Sequence, residues 1–76
     1  MYKVTLTKSR STWAYFTANP EGGGFGSNYC GPQWIALCRA TEALPNGTQY
    51  RLIVNGKDRG IECKTSFANF ASSRHA

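Results

Sequence analysis

The chain has 76 residues, with nine Lys and Arg against four Asp and Glu, which gives a formal net charge of +5. A hydrophobic content of 41% is enough for a folded core and excludes a disordered chain, while the length fits one small domain spanning residues 1–76. No apolar run approaches the ~20 residues of a membrane span. At the N-terminus, apolar and polar residues alternate, whereas a signal peptide would have a continuous apolar block. We therefore expect a soluble, cytoplasmic protein without a membrane partner.

The first part of the chain predicts a β-hairpin. Apolar and polar residues alternate over about 2–7, as in a strand with one solvated face. Residues 12–18 are rich in aromatic and β-branched side chains and form the predicted return strand. A one-residue change of register exchanges the two faces of this strand. The inward set is either Ala14, Phe16 and Ala18 or Trp13, Tyr15 and Thr17, and the usual burial of large aromatic side chains favours the second set.

Residues 19–31, NPEGGGFGSNYCG, contain five of the eight glycines and predict a long glycine-rich loop. A glycine-rich loop before a helix can bind phosphate. Here, however, Ser27 replaces the third glycine of a dinucleotide-binding motif, and Pro32 stands where a P-loop requires lysine. The sequence therefore favours a flexible connector or a partner-contacting loop over a nucleotide site.

The segment that follows has the one clear helical pattern. Over about 32–44, apolar residues recur on one side of a helical wheel, and Pro32 and Pro45 bound the segment. Trp34, Leu37 and Leu44 are the predicted packing contacts. A helix this short is marginal in water, so it must pack on the neighbouring strands.

The second half predicts another hairpin. Strands are expected at about 48–54 and 61–67, joined by a turn over 55–60, and the tail 68–76 is expected to fray. The element order is β-β-α-β-β. We therefore predict an α+β fold: a single two-layer domain with a mainly antiparallel four-stranded sheet and one helix on one face.

Catalytic groups are few. The chain has one histidine, His75, one aspartate, Asp58, and three dispersed glutamates, so no paired-carboxylate site is evident. The three cysteines, Cys30, Cys38 and Cys63, have neither the number for a closed disulfide set nor the spacing for zinc, and are predicted to be reduced. We expect no enzyme, cofactor, bound metal or small-molecule substrate.

Cations and exposed aromatic residues are the candidate binding groups. Lys3, Arg51, Ile53 and Lys64 are predicted on the sheet face that the helix leaves open, where the alternative phase of strand 12–18 would also place Trp13 and Tyr15. Lys57 and Arg59 are predicted at the tip of the second hairpin. Phe25 and Tyr29 in the glycine-rich loop form a competing contact surface. A cationic, partly aromatic sheet face suits single-stranded nucleic acid or a protein partner, although an ordinary solvated face would have the same pattern.

From Arg51 onward, RLIVNGKDRGIECKTSF resembles a family of small uncharacterised bacterial and phage domains that end in a hairpin of the form V-H-G-[KR]-D-G-[KR]-I. The similarity covers the last third of the chain. Asn55 replaces the usual histidine, and Arg59-Gly60 inverts the usual order. The family has no established activity, so this resemblance implies a fold and not a function.

In size and in its lack of catalytic motifs, the chain also resembles the single-domain inhibitors, anti-CRISPR proteins among them, that phages direct against host defence. That resemblance implies a phage- or mobile-element-encoded protein in the host cytoplasm. It would inhibit a nucleic-acid-handling defence complex, a protein or ribonucleoprotein, through protein–protein contact. Direct binding of nucleic acid through a basic, aromatic sheet face is the alternative.

Overall fold

The computed structural model of the protein describes residues 1–65 and has one helix packed on one sheet. The strands are β1 (Tyr2–Ser9), β2 (Thr12–Ala18), β3 (Gly24–Cys30), β4 (Gln49–Val54) and β5 (Lys57–Cys63), and the helix is α1 (Gln33–Ala40). The α+β class is confirmed. The predicted tail 68–76 and the end of the predicted strand 61–67 lie outside the described residues.

The sheet is five-stranded and mixed, in the order β3-β2-β1-β4-β5, so the predicted number of four strands is wrong, while most of the strand pairs are antiparallel as predicted. Three neighbouring pairs are antiparallel, but β1 and β4 are parallel, with Val4 opposite Leu52. The extra strand explains the difference. Because β3 runs parallel to β4, the connection between them must cross over the sheet, and α1 makes that crossover.

Strand β3 lies in the segment predicted to be a loop. All seven of its residues pair with β2, with Ser27 opposite Tyr15 and Gly26 opposite Phe16. The glycines accommodate the Phe16 ring: a Cβ on Gly24 or Gly26 would come within 2.9 Å of Phe16 ring atoms. Glycine normally weakens a strand, but here it permits close approach of a cross-strand aromatic side chain.

Helix α1 is shorter than the predicted 32–44. Pro32 has extended backbone angles and occupies the N-cap, and Thr41 ends the helix. The Thr41 hydroxyl donates to the carbonyl of Leu37, four residues earlier, at 3.0 Å. The residues after it form turns, yet Leu44 is still buried, so the predicted apolar contact persists beyond the last helical turn.

The core lies between α1 and one face of the sheet. Ala36, Leu37 and Ala40 of the helix are buried against strand residues. The buried side chains of the strands are Val4, Leu6, Trp13, Thr17, Tyr50, Leu52 and Val54. Trp13 and Thr17 therefore point inward, which confirms the favoured phase of β2. Trp34, expected to be a main helix contact, is only half-buried.

The second hairpin turns more tightly than expected. Asn55 and Gly56 both have positive φ, 51° and 82°, as a two-residue type I′ turn requires. Strand β5 therefore begins at Lys57 instead of residue 61. The register of β4 and β5 shifts between Arg51 and Ile53, so that Arg59 and Gly60 together lie opposite Leu52. This is a β-bulge, and it lies within residues 55–60, which were predicted to be a turn.

Candidate partner-binding surface

The sheet face opposite α1 is the candidate surface, and we call it the open face. Cross-strand partners share a face, so the pairing registers define its members. Its central rows contain Lys3, Thr5, Thr7, Ala14, Phe16, Ala18, Arg51, Ile53, Asp58 and Ile61. The helix packs on β1, β2 and β3 from the other side.

A charged cluster occupies one part of the open face. Lys3 and Arg51 lie on the predicted face and are neighbours across the parallel β1–β4 pair, a pairing that the sequence did not predict. Arg51 donates from its guanidinium to Asp58 Oδ2 at 2.6 Å. The Gly60 backbone N–H donates to Asp58 Oδ1 at 2.8 Å. The Gly60 hydrogen bond, followed by the contact with Arg51, lowers the pKa of Asp58.

Through these two hydrogen bonds, Asp58 both stabilises the backbone of the open face and contributes a negative charge to it. Its carboxylate ties the β5 bulge at Gly60 to the neighbouring strand β4 through Arg51. Arg51 is therefore partly neutralised within the protein. The pairing of Arg51 with Asp58 was not predicted, because residues 55–60 were expected to form a turn away from the sheet.

Apolar side chains lie beside the charges. Phe16 is 46% exposed and Ile61 is 44% exposed. Thr5 pairs with Phe16 on one side and with half-buried Ile53 on the other, so one row crosses the sheet from an aromatic to an aliphatic side chain. Phe16 was not among the predicted binding residues, although the favoured phase of β2, which turns Trp13 inward, necessarily turns Phe16 outward.

Lys64 is not on the open face, and that part of the prediction is wrong. Its Nζ donates to the backbone carbonyl of Thr41 at the C-terminal end of α1. The prediction assumed that Ile61 and Cys63 face the core and Lys64 faces solvent. In the structure Ile61 pairs with Arg51 on the open face, so the alternate residues Glu62 and Lys64 fall on the helix side.

Lys57 and Arg59 also lie apart from Lys3 and Arg51. Lys57 is at the hairpin end, as expected, but pairs with inward-facing Val54. Arg59 is in the β5 bulge and lines a helix-side depression of about 440 Å³ with Trp34 and Leu52. The five predicted cations therefore do not form one patch.

Phe25 and Tyr29 are on a strand instead of a loop. They pair with inward-facing Thr17 and Trp13, so both emerge on the helix side of β3. Phe25 is 40% exposed. Tyr29 is half-buried, and its ring lies 4.7 Å from the Arg39 guanidinium in a cation–π contact.

A groove of about 540 Å³ runs beside Tyr29 and the end of the helix. Its lining includes Ile35, Cys38, Arg39, Lys64 and Thr65. Arg39 already contacts Tyr29, and Lys64 already donates to Thr41. The groove is therefore a weaker candidate than the open face.

The inventory of reactive groups adds no further site within residues 1–65. All three cysteines are described and none forms a disulfide; Cys30 and Cys63 are exposed. In this part of the chain no three His, Cys, Asp or Glu side chains come together as potential metal ligands. The one helix there is too short to cross a membrane. His75 lies outside the described residues.

Comparison with known proteins adds no family. The chain matches no protein-family model, no curated protein sequence and no solved structure. Its function must therefore be argued from the surface described above.

Proposed function

We propose that the chain is a noncatalytic binding protein that contacts a protein partner through its open face. The observation that carries the proposal is Phe16, which is 46% exposed on a sheet face otherwise formed by small, aliphatic and charged side chains. Aromatic residues and arginine dominate the energetics of protein interfaces. Phe16 supplies the aromatic anchor, and Ile53 and Ile61 extend the apolar area.

The charges of the open face favour a protein over a nucleic acid. Binding of single strands needs cations for the phosphates and aromatic side chains for stacking. Among the described residues of this face, Lys3 and Arg51 are accompanied by the carboxylate of Asp58, which contacts Arg51 directly. That carboxylate would repel phosphate, whereas a mixed set of charges beside apolar residues suits a protein interface.

The proposed partner class is a nucleic-acid-handling complex of the host cell, which the protein would inhibit by occupying part of its surface. The resemblance to small phage-encoded inhibitors supports this choice. The formal charge of +5 is compatible with it, because proteins that handle nucleic acid can also present acidic surfaces to a basic inhibitor.

The test is capture of the partner from nuclease-treated lysate of the cells that carry the gene, followed by its identification and by binding measurements with the purified complex. Ile61→Lys and Lys3→Glu alter the open face at exposed positions. Both should weaken binding at least tenfold while leaving the thermal midpoint nearly unchanged. Lys57→Glu is the matched charge control on the helix side and should bind like the wild type.

Two results would contradict this assignment. If Phe25→Ala or Tyr29→Ala abolishes binding in a folded protein while the open-face variants bind normally, β3 is the contact surface. If the protein shifts nucleic acid in a gel, without sequence preference and with affinity falling steeply as salt rises, direct nucleic-acid binding replaces protein-directed inhibition.

A further inference from the structure

The two edges of the sheet differ in how they are protected against pairing with another strand. The edge strand β5, KDRGIEC, contains four charged residues and a bulge at Arg59 and Gly60. Charged side chains and bulges are the features by which proteins prevent an edge from adding a further strand. Strand β5 is therefore a blocked edge.

The opposite edge, β3, has neither protection. Its seven residues, GFGSNYC, include no charged residue and no proline. They keep an unbroken register with β2 from Gly24 to Cys30. Within residues 1–65, β3 is the terminal strand on this side of the sheet, so its outer backbone N–H and C=O groups face away from the other strands. An uncharged, regular edge of this length is a template for strand addition.

We propose that β3 pairs with β3 of a second copy of the chain, antiparallel and about a two-fold axis at Ser27. This dimerisation is independent of the proposed partner binding through the open face. A two-fold contact uses the same surface on both copies and must be complementary to itself. Because β3 is uncharged, self-pairing places no like charges opposite one another.

The register follows from the strand length and the two faces. Centring the pair on Ser27 uses all seven residues of both strands and keeps helix-side residues opposite helix-side residues. Phe25 of each copy then lies opposite Tyr29 of the second copy. A shift by one residue would instead place these aromatic side chains opposite open-face positions.

The proposed pairing also accounts for the exposure of Phe25, which is 40% accessible on the helix side of β3. Tyr29 is held by the Arg39 guanidinium at 4.7 Å. An aromatic pair between directly opposed strand positions is favourable. Two such pairs flank the axis, and the two sheets join into one continuous sheet with both helices on the same side.

The oligomeric state tests the proposal directly. Light scattering after size exclusion, over a series of concentrations, should give twice the 8.4 kDa of one chain. Ser27→Lys places two like charges at the axis and should reduce the mass to that of a monomer, with unchanged circular dichroism. Ile61→Lys, the same new side chain on the blocked edge β5, should remain dimeric.

A cross-link tests the register. Directly opposed residues of an antiparallel pair have Cα atoms about 4.5–5.5 Å apart, which is within disulfide range. Ser27→Cys should therefore give a disulfide-linked dimer under mild oxidation, well above the wild-type background from the native cysteines. Thr7→Cys, an exposed position at the centre of the sheet, should not.

The outcomes separate the two proposals. A wild type that is monomeric at every concentration, a Ser27→Lys variant that stays dimeric, or a Ser27→Cys variant that cross-links no more than Thr7→Cys would overturn the dimer. None of these results affects partner binding through the open face, which Ile61→Lys and Lys3→Glu test separately.

Discussion

The Arg51 guanidinium donates to Asp58 at 2.6 Å across the β4–β5 pair. The other carboxylate oxygen of Asp58 accepts the Gly60 N–H at 2.8 Å. Asp58 therefore stabilises the bulge in β5 and also fixes the orientation of the Arg51 side chain on the open face. This arrangement links a local backbone irregularity to the shape of the candidate binding surface.

The lowered pKa of Asp58 predicts how stability depends on pH. Its ordinary value is 3.8. A carboxyl whose pKa is lower in the folded state contributes stability above that value, and the contribution is lost as pH falls through the folded pKa. Asp58→Asn should therefore melt below the wild type near neutral pH, and the difference should shrink below pH 3.8.

Thermal melts of both proteins over a pH series measure this effect. Arg51→Met is the companion variant. It should reproduce only part of the difference, because it leaves the Gly60 hydrogen bond, the largest cause of the lowered pKa, in place. A difference between Asp58→Asn and wild type that stays constant down to acid pH would contradict the assignment.

The packing face of the helix predicts unequal effects of two substitutions that lie two residues apart, on opposite sides of α1. Leu37 is 2% exposed, so Leu37→Ala should cost about 2–5 kcal/mol of unfolding free energy through lost burial and the cavity left behind. Arg39 is exposed and contacts the Tyr29 ring. Arg39→Ala should cost only about 0.5–1 kcal/mol. Urea unfolding measures both, and equal small losses would contradict the helix orientation.

The parts of the fold that the sequence predicts well are those in which local pattern and burial agree. In β1 and β4 the buried residues follow an alternating pattern: Val4 and Leu6 in β1, and Tyr50, Leu52 and Val54 in β4. The α1 segment has a helical period, and Pro32 occupies its N-cap. For these elements, a single sequence contains the signal because one face of each packs in the core.

Strand β3 could not be predicted in the same way. Its Gly, Ser and Asn residues have low intrinsic preference for strands, and its extended conformation comes from pairing with β2 and from Phe16 lying over Gly24 and Gly26. Both are tertiary contacts. The candidate site was predicted only in part. The alternation of buried and exposed residues in β1 and β4 places Lys3 and Arg51 correctly on the open face. The orientation of Lys64 could not be predicted in this way, because the apolar residues of the edge strand β5 do not face the core.

A buried hydroxyl joins the sheet to the end of the helix. Thr17 is 1% exposed, and its Oγ1 donates to the carbonyl of Ala40 at 2.5 Å. Thr17→Val keeps the shape but leaves that carbonyl without this donor, so it should cost about 1–3 kcal/mol. Thr7→Val, at an exposed position of the same sheet, is the control and should change stability by less than about 0.5 kcal/mol. Similar results for the two variants would show that the hydrogen bond has no net effect.

Lys64 should matter for stability, because its ammonium group meets the negative end of the helix dipole. Its Nζ donates to the carbonyl of Thr41, the residue that caps α1. Lys64→Glu removes this bond and places a negative charge beside the helix C-terminus, so we expect a loss on the order of 1 kcal/mol, reduced at high salt. Lys57→Glu makes the same charge change at an exposed position in the hairpin and should have a smaller effect. Chemical unfolding at low and high salt measures both; an equal loss for the two variants would indicate that net charge, and not the contact with Thr41, determines the effect.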